Sequence, residues 1–284
     1  DLACRMMLQG LYGFDPEMKL IPVLAESYTA DDSAKVFTFK LRQGLKFHDG
    51  APFTADDFRY YWEDIANNSE LAPYGPPREL LVDGKPPRVT FPDASTVRYE
   101  WDAPNPYFLP ALAGAQPLYI FRPAHYLKQF HARYAEPEQL KRAVAQAGQR
   151  NWVALHFKFD QAYKNSNPDM PSLEPWVLRT FPPSDRFIFA RNPYFHRVDP
   201  EGHQLPYIDE VAMSIAAPRL GRGASRGFAS GVRVHARTRD ALGKAVDLLA
   251  LGEQPQDRRQ PAHVHHMRAG VHDVVGNPHQ FRPQ

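Results

Sequence analysis

The hydrophobic pattern changes period several times within a short span. "VFTFKLR" sets Phe37, Phe39 and Leu41 on one face and Thr38, Lys40 and Arg42 on the other, the period-two alternation of a half-buried strand. Gln43-Gly44 turns the chain, Leu45 and Phe47 alternate again, and His48-Asp49-Gly50 makes a second turn. Thr54 then stands three residues before Asp57, a capping box with Asp in place of the usual Glu. Asp56 and Asp57 also suit the positive end of a helix, each by roughly 0.3–1 kcal/mol. Phe58, Tyr61, Trp62 and Ile65 follow at i, i+3, i+4 and i+7, one apolar helical stripe.

Further along, Val89 and Phe91, a Pro-Asp turn, then Val97, Tyr99 and Trp101 predict a hairpin. "NPYFLPALAG" predicts a short helix after Pro106, and "PAHYLKQFHARY" a second. "EPEQLKRAVAQAG" predicts a third, with Pro137 in its first turn. "EPWVLRTFPPSDRFIFARNPYF" predicts two strands joined at Pro182–Asp185, and "PYIDEVAMSIA" one more. Strands and helices mix without a βαβ rhythm, so the fold class is α/β of the mixed α+β kind, not a Rossmann unit.

Composition sharpens this. Hydrophobic residues make up 43% of the 284 and aromatics 12%, enough for a substantial core. Apolar runs stay short of the 18 or so residues that would span a membrane. "DLACRMMLQG" does not show the basic-then-apolar pattern of a signal peptide. Cys4 is the one cysteine, which excludes an intramolecular disulfide and a cysteine-based zinc cluster.

Charge divides the chain. Residues 1–216 carry 23 basic and 27 acidic residues, a net −4, whereas residues 217–284 carry 11 and 5, a net +6. That tail has two of the 35 aromatics, ten Arg against one Lys, and six of the twelve His. "RDALGKAVDLLALG" predicts a helix through Leu242, Val246 and Leu249; the rest of the tail is expected to be loosely ordered.

Residues 5–216 resemble the extracellular solute-binding proteins of family 5, the periplasmic peptide-, dipeptide- and nickel-binding receptors of ABC importers. "LIPVLAESY", "FTFKLRQGLKFHDGAPFTADDF", "RNPYF" and "LPYIDEVAMSI" carry the resemblance, in the family's order. It implies a two-lobed receptor that closes on its ligand, with this chain supplying lobe I (1–216, with an inserted subdomain at about 15–165) and no second lobe. It further implies a periplasmic protein that captures peptides or a related small solute for a membrane permease and acts as a monomer. No enzymatic activity, cofactor or nucleic acid is implied. The change of character after Ala216 suggests a tail translated out of frame, a point that the nucleotide sequence around codon 216 decides.

Tyr74 follows the first helix, where peptide-binding relatives turn a ring to the ligand; the competing reading is a ring packed under the Pro-rich loop. Met213 sits in the last strand, either facing the cleft or filling the core. His48-Asp49 reads as a hydrogen-bonded turn ahead of a metal or acid/base pair, and Asp56-Asp57 as capping, since adjacent helical positions do not face each other. His263, His265, His266 and His272 offer metal donors without a scaffold. "GRGASRGFASG" lacks the spacing of a dinucleotide loop; its Arg-Gly pairs are the basis of an alternative, a nucleic-acid-associated module using the Arg-rich tail. G-x-S-x-G, H-E-x-x-H and P-loop motifs do not occur.

Overall fold

The computed structural model describes residues 10–113, 117–161, 167–215, 232–239 and 245–249. A small hairpin of β1 (Tyr12–Phe14) and β2 (Leu20–Pro22) leads into a four-stranded sheet. The strands of that sheet are β3 (Ala25–Ala30), β4 (Val36–Leu41), β5 (Arg88–Asp93) and β6 (Thr96–Glu100), in the order β3-β4-β6-β5. Every pairing in it is antiparallel. The alternation in β4 places Phe37, Phe39 and Leu41 in the core, opposite Tyr99 and Val97 of β6.

A short helix, α2 (Phe108–Ala111), drops Phe108 into this face. Its ring centroid lies 4.8 Å from Trp101, 5.0 Å from Tyr99, 5.5 Å from Phe37 and 5.8 Å from Phe39. Tilted and edge-on ring pairs of this kind add about 0.5–1.5 kcal/mol each beyond area burial. Nearby, Gly10 occupies a site too tight for a side chain: a Cβ there would lie 2.7 Å from the Leu112 carbonyl oxygen and 2.9 Å from that of Tyr12.

Helix α1 (Ala55–Arg59) begins as the capping box predicts. The Thr54 hydroxyl accepts from the Asp56 N–H at 3.3 Å, and the Asp57 carboxylate accepts from the Thr54 N–H at 2.9 Å. The expected α-helical stripe is then altered, because Tyr60–Ala66 continues as a π-helix. Its wider turn closes with the Asn67 N–H donating to the Trp62 carbonyl, five residues back. Phe58, Tyr61 and Ile65 are buried as the stripe predicts, but Trp62 is only half-buried, while Tyr60 and Asp64 are buried too. The widened turn swings extra positions inward, and the buried face is broader than a 3.6-residue period gives.

Helices α3 (Ala124–Leu127), α4 (Pro137–Gln146) and α5 (Trp152–Phe159) follow. The helix expected over "PAHYLKQFHARY" ends early, passing through one 3₁₀ turn and stopping at Phe130. Asn151 caps α5 by accepting from the Ala154 N–H at 2.9 Å, a helix not among those expected from the sequence.

The second sheet has five antiparallel strands in the order β11-β10-β9-β8-β7. β7 (Trp176–Leu178), β8 (Arg186–Arg191) and β9 (Glu210–Ile215) lie where the sequence places strands. β10 (Val232–Arg239) and β11 (Ala245–Leu249) differ from expectation. The segment predicted to form a helix through Val246 and Leu249 is a strand, and residues 232–239, expected to be loose, pair with β9. The reason is cooperative: β9 offers an edge, and the alternation of Val232, Val234 and Ala236 with Arg233, His235 and Arg237 is a strand period. Residues 1–250 form one compact unit. The Arg-Gly segment 221–231 and His263, His265, His266 and His272 lie outside the described residues.

Candidate functional site

The His-Asp-Gly turn is a structural hub. His48 exchanges two bonds with Ser172: its N–H donates to the Ser172 carbonyl at 2.9 Å, and its Nδ1 accepts from the Ser172 N–H at 3.0 Å. Nδ1 is therefore the unprotonated nitrogen, and burial pushes the imidazole pKa below its ordinary value. Asp49 accepts from the Ala51 N–H at 3.0 Å and meets His125 Nε2 at 2.8 Å. Gly50, at φ +90°, has the Tyr194 hydroxyl 3.3 Å from where a Cβ would be. Three remote segments thus converge on one turn. The Ala51 bond of Asp49 is a turn bond, while those to Ser172 and His125 tie the turn to distant segments.

Asp57 does more than cap. It is 3% exposed, and its second carboxylate oxygen accepts from the Ala124 N–H at 3.0 Å, joining α1 to the start of α3. Burial pushes its pKa up to about 6, with the Thr54 and Ala124 N–H groups pulling the other way. Asp56 points outward and pairs with Arg59 at 2.6 Å.

A polar cluster, buried at Tyr60, Asp64, His131 and His156 and exposed at Arg133 and Tyr134, lies beside the π-helix. Asp64 accepts from Arg133 Nη1 at 2.8 Å and from the Tyr134 hydroxyl at 2.6 Å. His131 Nδ1 accepts from the Arg133 N–H at 3.1 Å, so its Nε2 carries the proton and donates to the Asp64 carbonyl at 3.1 Å. The Tyr60 hydroxyl meets His156 Nε2 at 2.8 Å. Burial lowers the His156 pKa to about 4 and raises that of Tyr60, so both are neutral near pH 7. The neutral Tyr60–His156 pair, together with the Asp64–Arg133 ion pair and the Tyr134 hydroxyl, fastens the π-helical turn, α5 and the 131–134 turn together.

Tyr74 has the opposite character. Its loop is held firmly: Asn68 Oδ1 accepts from the Glu70 and Leu71 N–H groups at 2.9 and 3.2 Å, and the Ala72 N–H donates to the Asn68 carbonyl at 2.7 Å. Leu71 is buried beneath it. Tyr74 itself is 98% exposed, so it does not pack under the loop. Met213 lies in β9 opposite Phe187 of β8 and Val234 of β10, and is half-buried. The two belong to different parts of the fold, a loop beside the first sheet and the interior of the second. Neither lines the cavities described next.

One cavity, of about 360 Å³, is walled by Trp176, Phe195, Pro206, Tyr207 and Ile208. A larger one, of about 660 Å³, is polar and contains Glu26, Arg42, Gln43, Tyr194 and His196. Next to the first, Asp199, Glu201 and His203 place their donor atoms within 4.8 Å of one another. Asp199 is occupied by its own loop, accepting from the His203 N–H at 2.7 Å and from the Tyr207 hydroxyl at 2.5 Å. None of these residues is a site candidate by sequence pattern. Their proximity arises from the folding of the 192–208 segment and leaves no fixed spacing in the sequence.

Residues 19–225 match the family described as "Bacterial extracellular solute-binding proteins, family 5 Middle". This chain belongs to that family. The match runs past Ala216, where the resemblance read from motifs ended. Among solved structures, the family 5 chain is similar to the "oligopeptide-binding protein OppA", with a TM-score of 0.66 and 35% identity over 74% of this chain and 32% of that one. It is also similar to the periplasmic binding protein MelB of Agrobacterium fabrum C58, solved with stachyose, with a TM-score of 0.57 and 26% identity over 74% of this chain and 30% of that one. The periplasmic alpha-galactoside-binding protein of Rhizobium meliloti (strain 1021) is 29% identical over 206 residues, 69% of this chain and 25% of that protein. The glutathione-binding protein GsiB of Escherichia coli (strain K12) is 60% identical over 51 residues, 18% of this chain and 10% of that protein. The chain therefore spans a third or less of the length of these relatives. The fold is that of a periplasmic-binding-protein-like lobe.

Proposed function

We propose that these residues form the first lobe of a periplasmic receptor that captures small peptides and delivers them to the permease of an ABC importer. The observation that carries this reading is the 35% identity and TM-score of 0.66 to an oligopeptide-binding protein over 74% of the chain. The exposed ring of Tyr74 supports it: the bonded loop beside it sets where the ring stands and leaves it open to an extended peptide, whose backbone is read in a strand-like manner. The face around Tyr74 is assigned as ligand-facing, and Met213 of β9 as a side chain turned to the same ligand. Roles for both rest on their placement in the family pattern.

A receptor of this kind binds its ligand on the order of micromolar, about −8 kcal/mol, when two lobes enclose it. One lobe desolvates the ligand on one side only, so the 284-residue chain is expected to bind far more weakly. The test is saturation-transfer NMR of the chain with trialanine, and separately with stachyose. Trialanine signals that disappear in Tyr74→Ala support the reading. Stachyose binding without trialanine binding overturns the peptide assignment, and micromolar trialanine binding by this chain overturns the one-wall description.

A further inference from the structure

The polar cavity of about 660 Å³ has features that packing does not account for. Glu26 sits at the register shift between Ala25 and Ser27 in the β3–β4 pairing, and it is exposed. A bulge of this kind re-aims a side chain away from the ladder. Arg42, which also lines the cavity, is tethered by its Nε, which donates to the Val23 carbonyl at 2.8 Å, while its backbone N–H donates to the Leu24 carbonyl at 3.2 Å. That leaves the Nη groups of Arg42 outside the tether. Among the described residues, neither Glu26 nor Arg42 forms an ion pair.

The remaining walls are uncharged: Gln43, Tyr194 and His196 offer hydrogen-bonding groups, and Gly44 and Leu45 complete the lining. Tyr194 is oriented by its N–H, which donates to Asn192 Oδ1 at 2.9 Å, and Asn192 is itself fully buried. His196 is neutral, because burial and then Arg197 and Arg42 lower its pKa to about 4. Glu26 and Arg42 are thus the two charged residues among those lining this space, opposite in sign and each held by backbone geometry, while the Lys46 ammonium stands 5.4 Å from the Tyr194 ring centroid. Opposite charges that share a cavity without pairing leave both fields available to a ligand.

We propose that this cavity is a binding site for a small zwitterion, a free amino acid whose ammonium group meets Glu26 and whose carboxylate meets Arg42. Gln43 and the Tyr194 hydroxyl supply the lateral hydrogen bonds. The site is separate from the face assigned to peptide capture, since neither Tyr74 nor Met213 lines it.

The experiment is an NMR titration of the full ¹⁵N-labelled chain with glycine, β-alanine and γ-aminobutyrate, whose charges are increasingly far apart. Acetate and methylamine serve as single-charge controls. The expected result is saturable shifting of the Gln43 and Tyr194 amides by one zwitterion of the series, with each control at least tenfold weaker. Glu26→Gln and Arg42→Lys each weaken that zwitterion about tenfold, the size of one charged hydrogen bond. Glu26 is exposed, so Glu26→Gln remains informative if Arg42→Lys disturbs the fold. The proposal is overturned if no zwitterion shifts these amides, if acetate or methylamine alone binds as tightly, or if Glu26→Gln leaves the affinity unchanged. Trialanine titrated in parallel reads out at the Tyr74 loop, so failure at one site is distinguished from failure at the other.

Discussion

At the scale of single residues, buried polar groups set two expectations. Asp57 satisfies two backbone N–H groups from one buried carboxylate. Asp57→Ala is expected to destabilise the chain by roughly 2–3 kcal/mol, since a buried unsatisfied donor costs about 1–3 kcal/mol; urea unfolding measures it. Neutral His156 gives a pH dependence. Its folded pKa of about 4 lies below the ordinary 6.5, so the unfolded chain binds the proton more readily. The stability linked to it is fully present above pH 6.5 and is lost as pH falls toward 4, by up to about 3 kcal/mol. His196 acts with the same sign. Asp57 acts with the opposite sign, its penalty for ionising growing from pH 3.8 to about 6. Two histidines outweigh one aspartate, so Tm is expected to be lower at pH 5 than at pH 7.5, with a shallower slope in His156→Gln, which keeps a partner for Tyr60. The sequence showed Asp57 as a cap. It could not show the bond to Ala124, 67 positions away, which gives the residue its larger role.

At the scale of elements, local signals were readable where neighbouring residues supply the partners. Thr54 and Asp57 close a capping box within four residues, and Phe37, Phe39 and Leu41 alternate within five. Thr54→Ala is expected to cost about 1 kcal/mol by the same urea measurement, the usual loss of an N-cap acceptor. Gly10→Ala is expected to cost more than that, because a Cβ there meets two backbone oxygens at 2.7 and 2.9 Å, and neither can rotate away. The π-helical continuation of α1 was not legible. Its residues are ordinary helix formers, and the wide turn answers to Asp64 reaching Tyr134 and Arg133. The exposure of Tyr74 was likewise hidden, since a Pro-Tyr-Gly sequence suits a covered ring as well as an open one.

At the scale of the whole molecule, the second sheet is completed by strands from the basic tail. β10 covers the edge of β9, and β11 in turn covers β10. A chain ending at Ala250 keeps the compact unit, whereas one ending at residue 230 bares the β9 edge. The longer chain is expected to remain monodisperse by light scattering and the shorter one to self-associate, because an unpaired edge is a template for another strand. The sequence by itself determined the family, the mixed fold class, the strand periods of the first sheet and the caps of its main helix. Each of these depends on residues close together in the chain or on an ordered string of motifs. Only the tertiary structure decided that the tail contributes strands, that the His-Asp-Gly turn is a meeting point for three distant segments, and that Glu26 and Arg42 face one cavity. Those outcomes depend on contacts between residues far apart in sequence, whose strength is set by which edges and faces are left open once the rest has folded.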